Sequence, residues 1–286
     1  MLTRAFLIPV ILVGVQSIPF TLQAQWLNYP ARGSPRTRDG KVNVNAAPPR
    51  TREKKPDLSG VWHPEITPVE DWRRRFGDAI VDQRLNSTSI GMGIGTVSIY
   101  SSDVFYDLKL GDNPMRLETK LRQRQTDGDP CQPFGFPWAI LLTPVHKIIQ
   151  TPTEILMMLE EGNFTRQIYT DGRPLPKDPQ PSWFGYSTGK WKGDTLVVET
   201  NGLNDLTPLD GLGHPRSEST RITERYRRRD FGHMEVEVTF EDPTLYRHPF
   251  SIHFMDLLLP DSDMLENFCS ENERDIPHMQ PEKRSF

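Results

Sequence analysis

The segment Met234-Glu-Val-Glu-Val-Thr-Phe240 alternates apolar and polar side chains without a break. Only an extended strand with one dry and one wet face accommodates that period of two. A train of similar short runs surrounds it: Lys147–Thr151, Glu154–Glu160, Phe164–Tyr169, Gly185–Trp191, Thr195–Thr200, Thr220–Arg227, Ser251–Leu258 and Leu265–Cys269. Turn residues separate them, with Lys192-Gly193-Asp194 and Arg229-Asp230-Phe231-Gly232 reading as hairpins. Many short strands joined by short turns predict a mainly β fold, an antiparallel barrel or sandwich. No alternation of helix and strand supports a parallel sheet.

The stretch before this meander has another character. Gly60-Val61-Trp62 predicts a first strand with an aromatic anchor. Thr67-Pro68-Val69-Glu70 predicts a helix start, with Thr67 as N-cap and Glu70 closing a capping box. Val69, Trp72, Phe76 and Ile80 then follow at helical spacing. A second, surface-lying helix is predicted over Asn113–Gln125. Gly91-Met92-Gly93-Ile94-Gly95 has no helix after it to receive a phosphate, so it reads as a connector.

The N-terminus predicts export. Arg4, an apolar run over Ala5–Val15 and a small residue at Ala24 form a signal-peptide pattern covering residues 1–24. That run is shorter than the roughly 20 apolar residues a membrane span needs, so no integral segment is expected after cleavage. Residues 25–55 form a Pro-rich arm with eight Lys or Arg against Asp39 and Glu53, expected to be disordered or to wrap. Residues 56–286 are expected to form one β-rich domain, with 56–146 a helical or irregular lead-in and 147–269 the meander. The net charge of −4 despite that arm leaves an acidic body, which disfavours a nucleic-acid partner. The destination is thus periplasmic or secreted.

In that compartment an even cysteine count favours a bridge, here Cys131–Cys269, the alternative being two free thiols. Closing so long a loop is worth about 5 kcal/mol at most by chain entropy.

Strand alternation also nominates site residues. Glu224 shares a face with Ile222 and Tyr226, Arg166 with Phe164 and Ile168, and His253 with Met255 and Leu257. If these are the dry faces, Arg166, Glu224 and His253 meet inside, as a structural ion pair or as acid/base machinery. His214, with Asp210, lies in the long Gly202–Gly213 loop region and would reach an open end as a lid. Trp183, Tyr186 and Trp191 offer stacking surface for a ligand, and Asp171 with Arg173 marks a dense turn at a barrel mouth. The seven histidines show no metal-ligand spacing, and no cofactor is implied. No Gly-x-Ser-x-Gly elbow points to a serine hydrolase.

Several motifs occur together in order. They are Asp57-Leu-Ser-Gly-Val-Trp62, Cys131-x-Pro133-x-Gly135, Tyr169 to Pro174, Gly185-Tyr186, Gly189-Lys-Trp-Lys-Gly-Asp-Thr-Leu-Val-Val-Glu-Thr200, Glu224-Arg225, Asp242-Pro243 with Tyr246, and Cys269-Ser-Glu-Asn272. Over roughly Pro56 to His278 the chain resembles a large family of secreted bacterial proteins of uncharacterised function. The resemblance implies a bacterial exported protein and brings no catalytic assignment. The Gly-x-Trp-x-Gly-Asp-Thr hairpin is similar to those of lipocalin-like barrels, at the level of fold only. The expected function is binding of a small organic or sugar-derived ligand. The alternatives are an acid/base lyase, isomerase or hydrolase using the Glu/Arg/His cluster, and an envelope structural or interaction protein.

Overall fold

A computed structural model describes residues 30–85, 94–109, 111–120, 133–142, 145–160 and 162–264. The signal sequence, Cys131, Cys269 and the run Leu265–Cys269 lie outside them, so the export, disulfide and last-strand expectations fall outside the described residues.

Among the described residues, nine strands close into one barrel in sequence order. They are β1 Gly60–Pro64, β2 His146–Gln150, β3 Glu154–Leu159, β4 Thr165–Tyr169, β5 Tyr186–Lys192, β6 Thr195–Asn201, β7 Arg221–Arg228, β8 His233–Glu241 and β9 Phe250–Leu258. The barrel closes because β1 pairs with both β2 and β9, through Trp62↔His146 and Trp62↔Leu258. Every neighbouring pair is antiparallel except β4 and β5, which run parallel through Ile168↔Ser187 and Tyr169↔Thr188. Antiparallel pairing throughout is thus corrected at this one seam. The cause is the segment between Thr170 and Gly185, which is Pro-rich and long enough to return along the wall before β5 begins. Gly185 can sit at the end of that return because its φ of +65 and the carbonyl of Asn201, 2.4 Å from where a Cβ would lie, admit only glycine.

Alternation fixes the interior. Ile222, Glu224, Tyr226 and Arg228 of β7 are buried, as are Met234, Val236, Val238 and Phe240 of β8 and Arg166 and Ile168 of β4. On β9 the inward set is Phe250, Ile252 and Asp256, and His253 is exposed. The expected face of β9 is therefore wrong by one residue. Its sequence, Phe-Ser-Ile-His-Phe-Met-Asp-Leu-Leu, has apolar residues on both faces, and the register Glu237↔His253 sets His253 beside an outward glutamate.

The two barrel ends differ. One carries the short turns: β2–β3, the Gly193-Asp194 turn and the Arg229–Gly232 turn. The other receives the long connections, including the whole of 65–145. Within that connection lie α1 (Val69–Phe76), α2 (Asp78–Leu85), α3 (Leu117–Lys120) and α4 (Trp138–Leu142). Trp72 of α1 is buried in the main apolar cluster, with Val69 and Phe76 packed beside it. The helix begins one residue later than the predicted cap: Pro68 holds the N-cap position and makes no side-chain cap bond. Thr67 instead accepts the Ile99 backbone N–H. Gly77 ends α1, and Ile80, expected on the buried stripe, is exposed on α2. The predicted helix over Asn113–Gln125 shortens to α3 within the described residues, because Met115 is taken up in a bridge to Tyr246.

The basic arm lies on the short-turn end. Arg36 pairs with Asp261 at 2.7 Å and Arg50 with Asp194 at 2.8 Å. The N–H groups of Phe231 and Gly232 donate to the carbonyls of Ala46 and Val44.

Candidate functional site

The barrel centre holds a charged pair. Arg166 grips Glu224 bidentately, at 2.8 and 2.5 Å, and both side chains are 1% exposed. Arg166 also donates to Ser187 Oγ (3.1 Å) and Thr200 Oγ1 (3.0 Å), and the Phe136 ring centroid lies 3.8 Å from its Cζ. The Tyr226 hydroxyl donates to Glu224 Oε1 at 2.5 Å. Desolvation works against the Arg166 charge, yet Glu224 beside it outweighs that and holds its pKa above the ordinary value. Burial first and Glu224 second push the Tyr226 hydroxyl well up. This is the structural-pair arrangement, with the carboxylate engaged by a cation.

Neither histidine expected beside Glu224 is found against it. His253 faces outward, 3.6 Å from Asp107. His214 is buried under the long connections, its Nδ1 2.5 Å from Asp210 Oδ2 and its ring 4.0 Å from that of Phe105. The loop is thus packed as a plug and does not stand open as a lid. Desolvation raises the Asp210 pKa against the pull of His214. Asp103 completes a group whose potential ligand atoms lie within 4.8 Å of one another. Their carboxylate oxygens are already engaged: Asp103 by Phe105 N–H and Arg75, Asp210 by Val104 N–H, His214 N–H and the imidazole. The arrangement is a closed polar clamp tying the plug together.

A second interior pair was not anticipated. His146 and Asp256 are both buried, Nε2 to Oδ2 at 3.2 Å. Neither His146 ring nitrogen has a well-formed hydrogen bond, nor do Asp256 Oδ1 and Arg166 Nε. The β9 alternation carries the signal for Asp256, on the face that the sequence reads as wet; nothing local to Val145-His146-Lys147 marks its histidine.

The proposed ligand-binding residues divide. Tyr169, Tyr186 and Arg173 form one stack on the outer wall across the parallel seam, with the tyrosine rings 5.2 Å apart and Arg173 Cζ 3.8 Å from the Tyr169 ring. Asp171 holds Arg173 at 2.6 Å, and Arg173 reaches the Tyr186 hydroxyl at 3.2 Å. Asp171 and Arg173 therefore sit on the wall and not at a barrel mouth. Trp191 turns to the core on the same strand, and Trp183 contributes its carbonyl to Phe136 N–H. The three aromatics do not share a pocket wall.

Open space is found elsewhere. A half-open cavity of about 430 Å³ lies between the arm and the short-turn end. Val61, Leu258, Leu259 and Phe231 give it apolar walls, Gly60 lies in its surface, and Arg228 lines it from inside the barrel. Gly60 has no room for a side chain, since a Cβ there would stand 2.6 Å from Leu258 Cδ1. Arg228 continues the inward series Ile222, Glu224, Tyr226 by one more step, beyond the strand end expected at Arg227. Its guanidinium lies 4.8 Å from the Trp62 ring and 5.3 Å from that of Phe231.

Comparison with protein-family models, with curated proteins and with solved structures gives no match.

Proposed function

We propose that the chain is an exported bacterial protein that binds a small organic molecule, and that the molecule enters the cavity between arm and barrel. The observation that carries this reading is the cavity itself. Its size falls within the range of small-molecule sites, and a few polar groups interrupt mostly apolar walls. The barrel centre is a poorer host, since Arg166, Glu224, Tyr226, His146 and Asp256 fill it with almost no exposed surface.

The test uses the mature chain beginning near Gln25. Native mass spectrometry of freshly purified protein should reveal a co-purifying small molecule, or a screened ligand should bind. Amide shifts on binding should then concentrate at Gly60, Phe231 and Leu258. Shifts centred instead on Arg166, Ser187 and Glu224 would sink the assignment of the site.

One observation favours a second reading, acid/base catalysis. His146 and Asp256 keep polar atoms unpaired in the same interior that holds Glu224 and Tyr226. That reading requires Glu224→Gln to abolish turnover of a bound ligand while leaving stability unchanged.

A further inference from the structure

Among the described residues, five charged side chains line the cavity: Arg32, Lys147, Arg228, Asp261 and Asp263. The carboxylates are spoken for. Asp263 takes Lys147 at 2.7 Å, and Asp261 takes Arg36 at 2.7 Å and the Ala31 N–H at 2.9 Å. Among the described residues, Arg32 and Arg228 have no carboxylate within 4.0 Å. Arg228 is 4% exposed, and its hydrogen bonds go to neutral acceptors, the backbone carbonyls of Asp57, Ser59, Asp230 and Phe231. A guanidinium carries five N–H donors, so these four bonds leave one for a ligand.

Resting on the reading of this cavity as the ligand site, we infer that its ligand is an organic carboxylate with an apolar body, the carboxylate held by Arg228 and Arg32. The chemistry follows from what each part lacks. The walls offer Val61, Leu258, Leu259 and the Phe231 ring, which gain by covering hydrocarbon. The floor holds a desolvated cation on which Asp57 and Asp230 act only from beyond ion-pair distance, and a carboxylate would give it a charge-assisted hydrogen bond. Burial already depresses the Arg228 pKa to about 10, which an anion alongside would reverse. A neutral ligand of the same shape would leave that cation unpaired.

Octanoate, octan-1-ol and inorganic phosphate serve as probes for the intact mature chain, with binding measured by calorimetry and located by amide shifts. Octanoate is expected to bind at the cavity at least about tenfold more tightly than octan-1-ol, and phosphate to compete weakly. Arg228→Met should abolish that preference while alcohol binding persists, with circular dichroism confirming the fold. Should that variant fail to fold, Arg32→Ala, on the exposed arm, should still weaken octanoate selectively. Equal binding of alcohol and acid at the cavity would overturn the carboxylate inference and leave the cavity reading standing. Phosphate competing as well as octanoate would overturn the apolar body. Binding of none of the probes, or shifts confined to the barrel centre, would remove both inference and reading.

Discussion

The barrel buries arginines in two ways. Arg166, at the centre, meets a carboxylate, and its pKa lies above the ordinary value. Among the described residues, Arg216 and Arg228, toward the two ends, hydrogen-bond only to neutral acceptors, with carboxylates acting on them only from beyond ion-pair distance, and burial lowers them to about 9 and about 10. Arg216 donates to the carbonyls of Asn204, Phe136 and Trp183 and to Asn204 Oδ1. Carbonyl dipoles hold a guanidinium in place and fix the chain around it, but they do not cancel its charge. The central arginine is thus complete as an ion within the fold. Those at the ends are held as hydrogen-bond hubs and unfinished as ions. Of the two, Arg228 borders open space.

The largest test of that contrast breaks the complete pair. Glu224→Gln leaves Arg166 buried beside a neutral amide, and denaturant unfolding should show a loss of about 3–5 kcal/mol. Replacing both partners with apolar residues, as in Arg166→Met with Glu224→Leu, should recover most of it, because the desolvation cost leaves with the charges. If the double variant is as unstable as the single one, the wider network through Ser187, Thr200 and Tyr226 is what matters, and the pair is not separable from it.

Arg216→Met tests the carbonyl hub and should cost less, about 1–3 kcal/mol. The methionine strips donors from Phe136 O and Asn204 O, while Trp183 O keeps the Phe136 N–H. A loss as large as that of Glu224→Gln would mean that the carbonyl cage contributes as much as a buried counter-ion. Gly232→Ala sharpens the picture at the cavity end. A Cβ there would stand 2.5 Å from Val44 Cβ, so the arm must shift. The expected cost is about 1–2 kcal/mol, within the range for overpacking. Amide exchange at Phe231 and Gly232, whose N–H groups donate to Ala46 and Val44, should quicken; unchanged exchange would show that the arm does not rest there.

Much of the barrel was legible because its strands obey one rule without competition. In β8 every second residue is apolar, and in β7 Ile222, Glu224 and Tyr226 could be placed inside together, which brought Arg166 and Glu224 to one another. The rule failed on β9, where Phe254, Met255, Leu257 and Leu258 give both faces an apolar claim and only pairing with β8 decides. With that face went Asp256, and so the pair with His146. The parallel seam was illegible for another reason: strand direction depends on where a crossover travels, and Pro-rich composition does not encode its path. Arg228 was missed by a single residue, a strand end being where local pattern is weakest. The cavity itself is made by the arm, Gly60 and the β9 exit, segments distant in sequence, so no window of residues could announce it.

The smallest expected effect lies on the outer wall, where charge pairing is open to water. Arg173 holds the Asp171 carboxyl below its ordinary pKa, chiefly by side-chain hydrogen bonding. A carboxyl depressed in the folded state contributes stability above its unfolded pKa, near 3.9, and loses it as the pH falls through the lower folded value. The pair should therefore matter at neutral pH and fade below about pH 4. Both groups are well solvated, so Asp171→Asn should alter the thermal midpoint at pH 7 only slightly, with no difference from the parent once the Asp171 carboxyl is protonated in both the folded and unfolded states. A substitution effect that persists unchanged into that acid range would locate the role of Asp171 in the turn geometry, where its Oδ1 accepts the Arg173 backbone N–H, and not in its charge. A large effect at neutral pH would mean that the Tyr169–Arg173–Tyr186 stack is a more tightly held surface than its exposure implies, and the contrast between finished and unfinished arginines would then extend to the barrel's outside.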